Sequence, residues 1–180
     1  MNERRNFLKL ASAAAIPAAA AFVSGGVARA DDGSAKEFLG AWNLKHDLPL
    51  PPYYFRELLS FADGGVLQET NTFLHTASKV NFGPLGLTDP KWSALNAADG
   101  IGSWERTGNG VVQLVFRKLL FDGNTGVNFG DVLVSGTYYS DGKTLTGKAH
   151  VRVVDPFNVN VILADFGFPG STGGRIVYVP

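Results

Sequence analysis

Glu69, Asn71 and His75 are the side chains whose types and spacing most suggest a shared chemical site. Glu69 and Asn71 share strand parity with Leu67 and Phe73, so polar groups lie on a face with large apolar ones. A polar group on a buried face needs a partner or a ligand. Glu69 with His75 would make an acid/base pair for proton transfer, with Trp104 and Glu105 nearby in the same constellation. The favoured expectation is plainer. This face points outward, its apolar members half covered, because alternation alone does not say which face is inside. Arg117 poses a similar choice. It shares parity with Val111, Gln113, Val115 and Leu119. It would either hold an anionic ligand head inside a closed sheet or pair with Asp131 or Glu69. Tyr53, Tyr54, Phe55, Phe82 and Trp92 are candidate aromatics for the mouth of a site, with core packing as the alternative.

Other chemistries have little support. The 180 residues contain no Cys, which excludes disulfides, haem thioethers, iron–sulfur clusters and thiolate zinc sites. His46, His75 and His150 share no H-x-H or H-x-x-x-H spacing, so no metal site and no cofactor is predicted. His150 falls among Lys and Thr on the polar face of a strand and is expected to be solvated. No G-x-S-x-G elbow or P-loop is present. Gly100-Ile101-Gly102 lacks a following helix and reads as a turn.

Short strands must position these residues. Apolar or alternating runs recur at 38–44, 53–61, 66–73, 101–106, 111–121, 127–139, 143–154, 159–163 and 175–179. Turn signals separate most of them, including Asp63-Gly64, Asp122-Gly123-Asn124 and Asp141-Gly142. The run 143–154 alternates cleanly, with Leu145, Ala149, Val151 and Val153 on one face and Thr144, Thr146, Lys148, His150 and Arg152 on the other. A long irregular stretch, 74–98, holds Pro84 and Pro90, with a short helix expected over Lys91–Ala97. The fold class expected is all-β. An antiparallel up-and-down barrel of about eight strands suits such a meander, because closure removes exposed edges. A sandwich is the alternative.

The first thirty residues have a different character. Arg4-Arg5-Asn6-Phe7-Leu8-Lys9 carries R-R-x-F-L-K, an Ala-rich run follows, and Ala28-Arg29-Ala30 is an A-x-A cleavage site. That order is a twin-arginine signal peptide, with Glu3 standing where many such signals carry Ser or Thr. The apolar run is too short to span a bilayer, which takes roughly 20 residues. The division expected is therefore 1–30 as signal and 31–180 as one domain, periplasmic or secreted after passage through the twin-arginine translocase. Removing the signal takes four basic residues and one acidic from 16 of each, leaving a net of −3. A mildly acidic chain without a basic stretch offers no nucleic-acid footprint, and no basic amphipathic segment suggests a stable membrane anchor.

Gly40-Ala41-Trp42 at the start of the first strand resembles the opening of lipocalins and other calycin barrels. So does the wider order of F-L-G-x-W, F-x-D-G-G, G-x-G-x-W-E, F-D-G-N, D-G-x-x-x-x-G and D-P across nearly all of 31–180. The chain looks like a group of exported, lipocalin-like bacterial proteins. The resemblance implies that Trp42 plugs the barrel base beneath an Arg of the last strand, for which Arg175 is the candidate.

The leading functional expectation is an exported soluble barrel that binds a small, largely apolar molecule. Tyr54, Asn71, Trp104 and Arg117 are its candidate contacts. A cofactor-free cyclase, isomerase or dehydratase of the allene oxide cyclase-like or dirigent-like type is the alternative, carried by Glu69 and His75. A structural envelope protein with a filled barrel is the third.

Overall fold

Strict alternation gives a strand one apolar face, and that face has to be buried against something. The computed structural model, which describes residues 35–48, 54–71 and 85–177, buries it in nine antiparallel strands. They are β1 (Gly40–Asp47), β2 (Tyr54–Ala62), β3 (Val66–Asn71), β4 (Leu95–Ala97), β5 (Gly100–Gly108), β6 (Val111–Asp122), β7 (Asn128–Ser140), β8 (Thr144–Val154) and β9 (Ile162–Arg175). β3 pairs with β5, β6 with β7, and β9 returns to β1, so eight strands close on themselves in sequence order. The three residues of β4 extend the wall by pairing with the end of β6. This is the up-and-down barrel expected from the meander.

Asp side chains set several of the turns. Asp141 accepts hydrogen bonds from the backbone N–H groups of Lys143 and Thr144, and Asp122 does the same for Asn124 and Thr125. Gly64 and Gly65 close the β2–β3 hairpin at φ of 79° and 81°, a region that side chains disfavour. Leu145, Ala149, Val151 and Val153 of β8 are buried, while His150 is exposed and pairs with Asp165 of β9.

One end of the barrel is plugged. Phe38, Trp42, Phe61 and Trp104 are buried there, with the Trp104 ring edge-on to Phe61 at 5.5 Å. Trp42 is paired in register with Arg175, whose guanidinium lies 4.8 Å from the ring centroid. Arg175 also donates to the carbonyl of Glu37 at 2.6 Å, which ties the 3-10 turn Ala35–Glu37 across the base. Gly40 opens β1 at φ 111°.

Three expectations of local structure need correction. Gly100-Ile101-Gly102 is not a turn but opens strand β5, paired with β3. Lys91–Ala97 is not a helix but a 3-10 turn, Pro90–Trp92, followed by β4. Asp89 caps the turn, and Ala94 at φ 63° reverses the chain before a second turn can form. The two final strands expected around a Gly-rich turn are one strand, β9. A Cβ on Gly173 would lie 2.3 Å from the Asn43 carbonyl oxygen. Glycine there admits the β1 backbone at close range rather than turning the chain.

Candidate functional site

Beyond the aromatic plug the inward positions change from apolar to polar. His46 of β1, Glu57 of β2, Glu69 of β3, Lys118 of β6 and Ser171 of β9 are all buried, as is Tyr138 of β7. Glu57 shares its parity with Phe55 and Leu59, and Lys118 with Phe116 and Leu120. The pleat therefore carries charges inward along with the core.

These side chains form two hydrogen-bonded groups. In the first, Ser171 Oγ is 2.7 Å from His46 Nδ1, and His46 Nε2 is 2.7 Å from Glu57 Oε2. The imidazole stacks on Phe55 with centroids 4.6 Å apart. Tyr138 hydrogen-bonds Ser171, and burial, reinforced by the Glu57 charge, pushes its phenol pKa up so that it keeps its proton. Gly136 and Gly147 make room for the Tyr138 ring, since a Cβ on either would fall 2.5–2.6 Å from it. A carboxylate only accepts, so it is the His46 Nε2–H that donates to Glu57.

In the second group, Lys118 Nζ lies 2.7 and 2.9 Å from the two oxygens of Glu69, and Asn71 donates to Glu69 at 2.7 Å. Gly100 faces this carboxylate, where a Cβ would come within 2.7 Å of Oε2. Burial, then the neighbouring Glu57 charge, pushes Glu69 up to about 7, against the pull of Lys118.

A cavity of about 60 Å³ adjoins both groups. Its walls are apolar, with Phe55, Leu120, Val132, Val151 and Phe168 among them, and His46, Glu57, Asn71 and Lys118 supply its polar lining. Ser171 is not part of the lining, so it sits behind His46 while Glu57 faces the space. The residue types are those of a hydrolytic triad, but the order is reversed. A serine nucleophile would have to face the substrate. The arrangement instead presents a carboxylate oriented by an imidazole.

The residues expected at the site scatter. Asn71 lines the cavity. Glu69 faces inward, which corrects the outward expectation. Trp104 belongs to the plug, its Nε1–H donating to the Ala62 carbonyl at 3.0 Å, and does not line the cavity. Tyr54 is exposed on the outer wall beneath Lys45. Arg117 also stands outside, paired with Asp131, and the interior cation is its neighbour Lys118. Of the candidate mouth aromatics, Phe55 lines the cavity and Trp92 is buried against Phe129. Tyr53, Phe82 and His75 lie outside the described residues, as do residues 1–30, where a signal was expected. Glu57, Lys118, Ser171 and Tyr138 were not legible as site residues, although Glu57 and Lys118 each interrupt an inward apolar row. Among the described residues no three His, Cys, Asp or Glu side chains converge on a metal position. No protein-family model, curated protein or solved structure matches the chain.

Proposed function

We propose that this barrel binds a small, largely apolar molecule whose polar end meets Asn71 and Lys118. The supporting observation is the cavity itself, apolar on most sides with those donors gathered on one. Its volume suits a small molecule or the buried end of a longer one. The meeting of Trp42 and Arg175 at the plugged base supports kinship with calycin-type barrels. The R-R-x-F-L-K and A-x-A patterns support export by the twin-arginine route with cleavage after Ala30.

The test is native mass spectrometry on protein exported through its own N-terminus and purified gently. The expected result is a chain beginning at Asp31 with a small adduct that denaturation releases. The variant Ala149→Phe, which fills the cavity from β8, should lose the adduct. Absence of any adduct, together with no binding of an apolar fluorescent probe, would overturn the assignment. An uncleaved chain would overturn the export reading alone.

A further inference from the structure

We infer that the cavity is a cofactor-free proton-transfer site for a carbon acid. In it Glu57 is the general base, and Lys118 holds the negative charge that develops on the substrate. The inference rests on the binding function proposed above and adds a reaction to it.

The geometry assigns the roles. Glu57 is 5% exposed, its Oε2 is held by His46, and its Oε1 has no partner among the described residues. A carboxylate with one oxygen fixed and the other free in an apolar space is a desolvated base with defined direction. Lys118 has three N–H protons. Glu69 engages two, and the third has no partner among the described residues. Both side chains line the same cavity. Ser171 is a positioning residue, because it holds the far nitrogen of the His46 ring whose Nε2–H donates to Glu57.

The reaction that fits is a shift of a proton along an unsaturated carbonyl compound. Glu57 takes the proton from the carbon next to the carbonyl. The C–H electron pair becomes the enolate double bond, and the carbonyl oxygen takes the charge beside Lys118 and Asn71. The Glu57 carboxylic acid then returns the same proton to the far carbon of the alkene. No hydrogen is lost, nothing is oxidised, and no co-reactant is consumed.

Nitrobenzisoxazole is a suitable probe, being small, apolar and opened by base. Removal of its ring C–H proton turns the C–H electron pair into the third bond of a nitrile, and the N–O bond breaks with its pair on the oxygen, giving a coloured phenolate. Wild-type protein should catalyse the opening with saturation. Glu57→Gln should lower kcat at least ~100-fold with little change in KM. Glu57→Asp, which keeps the charge but shortens the reach, should be intermediate, and circular dichroism would confirm that both variants fold. Ser171→Ala should shift the pH profile of kcat, which a merely structural role would not do. A probe retained in native mass spectrometry but opened equally fast by wild type and Glu57→Gln would overturn the catalytic inference alone. A probe neither retained nor opened would overturn the binding function with it.

Discussion

Glu69→Gln should remove one component of the way this protein's stability responds to pH. Glu69 is 2% exposed, and burial with the nearby Glu57 charge raises its pKa from 4.5 to about 7. In the unfolded chain it returns to its ordinary value. Between those two pH values the folded protein therefore holds a proton that the unfolded chain has released. Stability from this group is fully present below the unfolded pKa and is lost as pH rises through the folded one. At about 1.4 kcal/mol per pH unit, the span from 4.5 to about 7 corresponds to roughly 3 kcal/mol. The attraction of Lys118 is already contained in that pKa. Glutamine cannot titrate, so Glu69→Gln removes the window while leaving a similar shape. The variant should match wild type most closely near the acid end and gain on it by about 3 kcal/mol towards alkaline pH. Urea unfolding followed by tryptophan fluorescence would measure both proteins across the window, and taking their difference cancels the titrating groups that do not interact with Glu69. A difference that stays constant within about 0.5 kcal/mol would refute the reasoning. A difference of the opposite slope would show that the Lys118 ion pair outweighs burial.

The plug and the seam supply two further expectations. Arg175→Ala removes a cation from the Trp42 ring and a charged donor from the Glu37 carbonyl. It should cost about 2–3 kcal/mol, read as a lower midpoint in thermal or urea unfolding. Gly100→Ala and Gly173→Ala should differ in kind. The first pushes on the Glu69 and Phe116 side chains, which can yield, and should cost about 1–3 kcal/mol. The second pushes on the β1 backbone at Asn43 and Leu44, which cannot yield without parting β1 from β9. It should cost more than Gly100→Ala and raise amide exchange along that seam.

The barrel was legible because its signals are local. Asp-Gly turns, the alternation of β8 and the position of Trp42 each report on a few consecutive residues. The site was not, because it gathers side chains from six strands, and Ser171 lies 125 residues from His46. Local spacing cannot reveal such a set. β6 shows the difficulty at its sharpest. Arg117 and Lys118 are adjacent in a nearly continuous apolar run, so either parity places one cation inside. The choice is made by Glu69 from within and Asp131 from without. Ser171 was hidden differently, in a Gly-rich run that reads as a turn until the close approach of β1 is known.

That the interior holds these charges at all is itself informative. Replacing a buried ion pair by well-packed apolar residues is often neutral or stabilising by about 1–4 kcal/mol. Glu69 and Lys118 thus do little for stability that Leu and Met would not do as well. The fold nonetheless gives up packing to keep them. Gly100 forgoes a side chain beside the Glu69 carboxylate, and Gly136 and Gly147 forgo theirs for the Tyr138 ring that backs Ser171. Three glycines in three strands therefore serve two polar groups next to one cavity. An interior shaped for stability alone has no use for that arrangement, which accords with the proposal that Glu57 and Lys118 face a bound molecule.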